Sequence, residues 1–239
     1  MHMNRNVAIV LAAGKGKRMN AERPKQYLLL DGKPILYYSL KTIEESFIDR
    51  IILVTSADDI EYCRKEIVEK FGLQKVNSIV AGGKERYHSV WNGICQVEDC
   101  DYLFIHDGAR PFLTQDILND AYRCVQKYNA CVAAVPVKDT IKQVDGSGRV
   151  TFTPRRSTLH QMQTPQTFRF SLIRDAYEGL IRQEEDLKKK GIVITDDAMV
   201  VETITSHTVW ISEGAYTNIK ITTPEDIWIA ESLIKGIKK

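Results

Sequence analysis

Hydrophobic and polar positions along this chain alternate between two patterns. Short apolar runs, such as residues 51–54 (Ile-Ile-Leu-Val), are typical of strands that are buried on both faces of a sheet. Between these runs, apolar residues recur every three or four positions, as at Leu36 and Leu40, and this spacing predicts helices with one buried face. Strand and helix alternate in this way from residue 7 to residue 135. The pattern therefore predicts an α/β protein whose mostly parallel sheet has helices on both faces.

Residues that favour helix starts precede many of the periodic stretches. Ser, Thr and Asp side chains accept hydrogen bonds from the first backbone N–H groups of a helix, and proline is tolerated in its first turn. Helix starts are predicted at Pro34, Asp58, Thr114, Ser171, residues 195–197 (Thr-Asp-Asp) and Thr223.

The pattern changes after residue 135. Residues 136–161 contain two alternating segments on either side of an Asp-Gly-Ser-Gly turn, which predicts a β-hairpin. An isolated hairpin is barely stable in water, so we expect this arm to bury Val144, Val150 and Phe152 against another surface. Further on, the sequence predicts a polar loop at residues 163–168 and three short strands, at residues 192–194, 208–211 and 218–222.

A segment rich in glycine and positive charge follows the first apolar run. Gly14 and Gly16 let a ligand approach the backbone, whose exposed N–H groups can form a cradle for an anion. Four cations surround the same space: Lys15, Lys17, Arg18 and Lys25. This combination indicates a polyphosphate ligand, although the residues alone also fit a tight turn with solvated lysines. Met19 stands where a dinucleotide-binding fingerprint requires its third glycine, and the Walker sequence is absent.

Two more polar, glycine-bearing loops follow predicted strands, at residues 82–86 and 107–110. In open parallel sheets, ligands bind beyond the carboxyl ends of the strands. Because all three loops leave the sheet at that edge, the sequence predicts that they form one site.

Composition narrows the possible partners. The net charge of the 239 residues is +2, which does not suggest general binding to nucleic acid or to a membrane surface. No apolar run approaches transmembrane length, and the N-terminus lacks the apolar core of a signal peptide. The five cysteines form no Cys-x-x-Cys pair, as expected of reduced thiols in a cytoplasmic protein.

Eight motifs, in this order along the chain, resemble those of one family. They lie at residues 11–19, 24–26, 82–86 with Ser89, 106–111, 136–140, 163–166, 195–197 and 218–220. The family is that of the 2-C-methyl-D-erythritol 4-phosphate cytidylyltransferases. The resemblance implies a single nucleotidyltransferase domain over residues 1–239, folded as a Rossmann-like three-layer sandwich with a mostly parallel sheet. It also implies that residues 136–161 form a protruding β-arm that makes a homodimer.

The reaction implied by the resemblance joins CTP to 2-C-methyl-D-erythritol 4-phosphate and releases pyrophosphate, in the non-mevalonate route to isoprenoids. Phosphoryl transfer of this kind depends mainly on positioning and charge neutralisation. The resemblance assigns Arg18 and Lys25 to catalysis and Asp107 to a divalent metal, Mg²⁺. The positions that it assigns to CTP are Leu11, Ala12, Ala13, Gly14, Gly16, Gly83, Lys84, Ser89, Asp107 and Gly108. Those that it assigns to the polyol phosphate are Arg110, Thr140, Arg156, Thr164, Thr195 and Lys220.

Alternatives remain open on the sequence alone. A ribitol 5-phosphate cytidylyltransferase shares the glycine loop and the 163–166 motif, but residues 85–90 and 135–140 look closer to the methylerythritol enzymes. A non-catalytic nucleotide-binding module would need neither the density of cations nor the carboxylate. His106 is expected to have a packing or hydrogen-bonding role, because an already ionised phosphate needs no general base.

Overall fold

A computed structural model describes residues 5–14 and 23–237 of the chain. The expectations for Lys15, Gly16, Lys17 and Arg18 lie outside the described residues.

Eleven strands are found in the part of the chain that the structure describes. They are β1 (Asn6–Ala12), β2 (Leu29–Leu30), β3 (Lys33–Pro34), β4 (Arg50–Thr55), β5 (Val76–Ala81), β6 (Tyr102–Asp107), β7 (Ala130–Pro136), β8 (Gln143–Val144), β9 (Val150–Phe152), β10 (His160–Arg169) and β11 (Trp210–Glu213). Seven of them form a central sheet in the order β11-β7-β10-β6-β1-β4-β5. All neighbours pair in parallel except β10, which is antiparallel to both β6 and β7. The predicted mostly parallel sheet is confirmed.

Helices cover both faces of this sheet. They are α1 (Ile35–Glu44), α2 (Ile60–Tyr62, continued by a π-helix over Cys63–Glu69), α3 (Arg86–Ile94), α4 (Gln115–Tyr128), α5 (Phe170–Lys189), α6 (Asp197–Ile204) and α7 (Pro224–Ile237). One core contains apolar residues of α1, α2 and α4, and the other contains those of α3, α5 and α6. Successive residues of β1 face opposite cores, with Ala8 and Val10 on one side and Val7 and Ile9 on the other, as a pleated strand requires. The three-layer α/β prediction is therefore confirmed.

The predicted polar loop at residues 163–168 is wrong, because this segment belongs to β10. It lies between β6 and β7 and is buried. Its polar side chains have partners: Gln163 donates to the Ala215 carbonyl at 2.8 Å, and Gln166 donates to Asp196 at 3.0 Å. Buried polar groups are tolerated when they are hydrogen-bonded, so a central strand here needs no apolar run.

Two of the three later strand predictions are also wrong. Residues 192–194 and 218–222 form no strand. In the second segment, Ile221 is buried in a small core with residues of α7, and its N–H donates to the Ala109 carbonyl at 2.9 Å. Its apolar residues thus reflect packing beneath a helix rather than a place in the sheet.

Several predicted helix starts are confirmed by a hydrogen bond. The Thr114 hydroxyl accepts from the Ile117 N–H at 3.3 Å, and the Asp196 carboxylate accepts from the Met199 N–H at 2.9 Å. Neither Asp58 nor Ser171 caps a helix. Asp58 lies inside the 3₁₀ turn Ala57–Asp59, and α5 already begins at Phe170.

The predicted hairpin is confirmed as the two-stranded sheet of β8 and β9. Its apolar side chains Val144, Val150 and Phe152 are each more than half exposed in the single chain. No helix among the described residues is long and apolar enough to cross a membrane.

Candidate active site

A cavity of about 560 Å³ opens at the carboxyl ends of β1, β5 and β6. Residues of the three predicted loops line it together, along with Lys25, Gln26 and Lys220. The prediction that these loops converge is thus confirmed for the described residues. Leu11, Ala12, Ala13, Gly14, Gly83, Lys84, Ser89 and Asp107 all lie at this cavity, as expected.

Gly108 has a packing role that the sequence did not indicate. It is absent from the cavity lining among the described residues. Its N–H donates to the Leu11 carbonyl at 2.9 Å, and a Cβ there would lie 2.6 Å from Leu36 Cδ1. Glycine at this position lets the chain pack closely against the end of β1 and against α1 as it turns just after Asp107.

Asp107 carries the carboxylate at the centre of the cavity wall. Lys220 Nζ lies 2.7 Å from its Oδ2, and an Arg86 terminal nitrogen lies 3.4 Å from its Oδ1. Its backbone N–H donates to Thr164 Oγ1 at 3.1 Å. Burial opposes ionisation, but Arg86 and Lys220 outweigh it and hold the pKa of Asp107 well below its usual range. The group is therefore a carboxylate at any physiological pH.

Arg86 is a site residue that sequence reasoning missed. Its guanidinium forms two parallel hydrogen bonds with Asp197, both at 2.8 Å, and the Asp197 side chain is fully buried. The Tyr177 hydroxyl donates to the same carboxylate at 2.5 Å. Asp197 was expected only to cap a helix, but here it anchors Arg86 beside Asp107. Residues 86 and 197 are so far apart in sequence that no local pattern could pair them.

We expect Asp197→Asn to lower the free energy of unfolding by about 2 kcal/mol, the scale for losing hydrogen bonds to a charged group. The amide keeps the shape of the side chain but removes the charge that Arg86 requires. Urea denaturation of the two proteins measures the change. Asp196→Asn is the control: its oxygen can still accept from the Met199 N–H, and losing the hydrogen bond from the Gln166 amide should cost about 1 kcal/mol. An equal loss in both variants would contradict the special role of Asp197.

Lys25 and Gln26 join the loop after β1 to the rest of the site. Lys25 Nζ donates to the Ile221 carbonyl at 2.6 Å, next to Lys220. Gln26 is buried, and its amide donates to the Ala12 carbonyl at the end of β1. The motif at residues 24–26 thus places Lys25 at the cavity, bonded to the segment that carries Lys220.

The loop at residues 82–86 is fixed by close packing. The Gly83 N–H donates to Ser89 Oγ at 3.0 Å, and a Cβ at Gly82 would lie 2.5 Å from Ala13 Cβ. A Cβ at Gly83 would overlap the Cβ of His88. Both glycines are therefore required for the loop to lie against β1 and the start of α3.

The residues assigned to the polyol phosphate are spread more widely. Lys220 lines the cavity, whereas Arg110 and Thr164 lie behind it, with Arg110 donating to the Asn218 carbonyl at 2.7 Å. Thr195 is exposed, and its hydroxyl lies 3.6 Å from Met199 Sδ. Thr140 and Arg156 belong to the arm and do not line the cavity of their own chain among the described residues.

His106 is buried beneath the site. Its Nε2 lies 3.3 Å from the Arg110 carbonyl, which can only accept, so Nε2 carries the hydrogen. Its Nδ1 then accepts from the Thr164 hydroxyl at 3.0 Å. Burial lowers the pKa of His106 to about 4, so the ring is neutral near pH 7. This geometry fits the packing and hydrogen-bonding role expected from the sequence.

Comparison with known proteins places this site in a family. Residues 6–236 match the family described as IspD: 2-C-methyl-D-erythritol 4-phosphate cytidylyltransferase. The chain belongs to this family. A relative of that name from Lachnospira eligens is 50% identical over 97% of this chain and 100% of its own length. Another from Lachnoclostridium phytofermentans is 44% identical over 98% of this chain and 97% of its own.

Solved structures agree with this membership. The 4-diphosphocytidyl-2C-methyl-D-erythritol synthase of Anaerococcus prevotii superimposes with a TM-score of 0.83 at 33% identity, covering 97% of this chain and 96% of its own. The 2-C-methyl-D-erythritol 4-phosphate cytidylyltransferase of Francisella tularensis gives 0.77 at 28% identity, covering 95% and 99%.

The residues that line the cavity fit a divalent cation that is bound by one protein carboxylate and, for the rest, by phosphate oxygens of the substrates. No group of three or more His, Cys, Asp or Glu side chains among the described residues could hold a metal ion. Asp107 supplies one ionised carboxylate beside the cavity, and Mg²⁺ is commonly bound by one or two carboxylates with substrate phosphates completing its shell.

Proposed function

We propose that this chain is a 2-C-methyl-D-erythritol 4-phosphate cytidylyltransferase that supplies isoprenoid precursors. It joins CTP to the polyol phosphate to give 4-diphosphocytidyl-2-C-methyl-D-erythritol and pyrophosphate. The observation that carries the proposal is the cavity lined by Lys25, Arg86 and Lys220, the last two of which pair with the Asp107 carboxylate, in a chain 44–50% identical over its length to relatives of that name. We propose a single catalytic domain whose 136–161 arm pairs with a second copy, in the cytoplasm, where free cysteines persist.

The reaction depends on positioning of the substrates and on neutralisation of their negative charge. A phosphate oxygen of the polyol attacks the α-phosphorus of CTP, a new P–O bond forms, and the bond from the α-phosphorus to the pyrophosphate oxygen breaks. The attacking oxygen is already ionised near neutral pH and needs no base. We assign neutralisation of the charge that builds on the phosphates to Lys25, which lines the cavity, and to Arg18.

Nucleotide binding is assigned to the loops on either side of the cavity. Backbone groups of residues 11–14 and the loop beginning at Gly83 form its walls, and Ser89 closes the second loop through the Gly83 N–H. A pocket made of backbone N–H and carbonyl groups distinguishes bases by their hydrogen-bonding edges and resists larger rings. We therefore assign cytosine to the loop at residues 83–89.

A divalent cation, which we take to be Mg²⁺, completes the site. The chemistry that it would supply is neutralisation of negative charge on the triphosphate. Asp107 would hold it, and Lys220, whose Nζ lies 2.7 Å from Asp107 Oδ2, is assigned to the polyol phosphate.

Pyrophosphate release in the presence of CTP, Mg²⁺ and a panel of polyol phosphates tests the function. We expect turnover with 2-C-methyl-D-erythritol 4-phosphate to exceed that with ribitol 5-phosphate. We also expect turnover with CTP to exceed turnover with UTP or ATP. A preference for ribitol 5-phosphate would replace the proposed substrate, and no pyrophosphate release with any alcohol would refute the enzyme assignment.

A further inference from the structure

A hydrogen-bonded chain connects helix α5 to the loop at residues 83–86 from behind the cavity. Glu184, on α5, lies 3.0 Å from His88 Nε2 through its Oε2. His88 lies in the first turn of α3, and its Nδ1 accepts from the Glu85 backbone N–H at 3.2 Å. Glu85 completes the contact, because its side chain accepts from the His88 backbone N–H. Glu184 itself is outside the cavity lining.

The direction of these hydrogen bonds determines which nitrogen of the His88 ring carries the hydrogen. A backbone N–H can only donate, so Nδ1 must be the acceptor, and the hydrogen of the neutral ring is on Nε2, facing the Glu184 carboxylate. A carboxylate that accepts from one ring nitrogen of a histidine sets both the tautomer and the ring orientation. Glu184 also accepts from the Tyr87 hydroxyl at 2.9 Å and from Lys188 at 2.6 Å. Lys188 contributes most to holding the pKa of Glu184 at about 2, so the carboxylate is ionised.

The position of His88 determines the position of the loop. Gly83 packs so closely on His88 that even a Cβ would overlap it. The Gly83 N–H donates to Ser89 Oγ, and the Glu85 N–H donates to His88 Nδ1. The loop is therefore held at both ends by the first turn of α3. Its outward surface forms the wall to which we assign CTP.

We propose that Glu184 is a positioning residue for nucleotide binding, acting through His88 to hold the loop at residues 83–86 in its CTP-binding conformation. This inference rests on the proposed function, because it names the nucleotide that the loop receives. Glu184 contacts neither Lys25, which we assign to the triphosphate, nor Lys220, which we assign to the polyol phosphate. Its effect should thus fall on CTP rather than on the polyol phosphate.

Glu184→Ala should raise the Kd for CTP about tenfold, within the range of interaction energies between residues in contact. Isothermal titration calorimetry with Mg²⁺ and CTP, without the polyol phosphate, measures this directly. Glu185→Ala is the matched control: it is the next residue of α5, removes the same charge, and has a side chain that is 79% exposed. The Kd for CTP of this control should stay within about twofold of wild type.

Two further variants separate positioning from a general structural role. Glu184→Gln retains an oxygen that accepts from His88 Nε2 and should restore most of the affinity. In a His88→Ala background, adding Glu184→Ala should raise the Kd much less than in the wild-type chain, because the contact through His88 is already lost and, among the described residues, only the Tyr87 hydroxyl still joins Glu184 to α3. A Glu184→Ala effect of full size in that background, or an equal rise in the Michaelis constant for the polyol phosphate, would overturn the inference.

The outcomes distinguish this inference from the proposed function. A wild-type chain that binds no CTP would refute the function itself. A wild-type chain that binds CTP no more tightly than Glu184→Ala would refute only the role of Glu184. If Glu184→Ala does not fold, His88→Asn replaces it, since its side-chain oxygen can accept from the Glu85 N–H but cannot reach Glu184. Unchanged CTP affinity in that variant would equally overturn the proposal.

Discussion

Lys25→Ala is expected to lower turnover by about a hundredfold or more, the usual scale for removing one preorganised donor to a transition state. Lys25 lines the cavity and is the lysine that we assign to the triphosphate. Its charge is needed most when negative charge is concentrated around the α-phosphorus, so kcat should fall more than the affinity for CTP. Steady-state measurement of pyrophosphate release gives both constants.

Stability changes much less in this variant. Lys25 Nζ donates to the Ile221 carbonyl, and losing that bond should cost about 1 kcal/mol in the free energy of unfolding. Lys33→Ala removes the same charge from an exposed position over the Tyr37 ring and serves as the control, with turnover near that of wild type. Near-normal turnover in Lys25→Ala would refute the assignment of this lysine to the phosphates.

Mixing two inactive variants, Arg156→Ala and Lys25→Ala, is expected to restore about a quarter of wild-type activity. Arg156 is exposed on the arm, where it donates to the Lys138 carbonyl at 2.9 Å, and it does not line the cavity of its own chain. In a two-fold dimer whose arms exchange, it would reach the neighbouring site and bind a phosphate through its guanidinium. Random mixing makes half of the dimers mixed, and each has one intact site, which gives a quarter.

A third chain makes the complementation test specific. Lys25→Ala mixed with the double variant Lys25→Ala/Arg156→Ala contains no intact site and should stay inactive. Size-exclusion chromatography of the wild-type chain checks that a dimer forms at all. Subunit exchange demonstrated by mass spectrometry without recovered activity would show that Arg156 does not act across an interface.

The sheet and the position of the site could be predicted from the sequence because they follow from local patterns, namely apolar runs and the glycine-bearing loops. β1, β4 and β6 are continuous apolar runs because both faces of each strand are buried, and the glycine-bearing loops directly follow β1, β5 and β6. β10 could not be predicted from its pattern. Gln163, Thr164 and Gln166 make it polar, and their hydrogen-bonding partners come from other parts of the chain.

Pairings between distant residues were missed for the same reason. Arg86 and Asp197 are 111 positions apart, and His88 and Glu184 are 96 apart. Each residue alone has an ordinary local interpretation, as a loop cation, a helix cap or a solvated helix residue. The resemblance to a family supplied positions along the chain, but it did not indicate which side chains hold Arg86 and His88 in place.

The antiparallel strand β10 gives the arm an unusual attachment. β7 leads into the arm and β10 leads out of it, and the two pair with each other inside the central sheet. β10 also pairs with β6, the strand that ends at Asp107. Both roots of the arm are thus anchored in the central sheet, with β10 next to the strand that ends in the carboxylate and β7 one strand further away. Insertions or deletions in the arm, in evolution or in an engineered chain, can consequently change its length without changing the register of any strand that shapes the cavity.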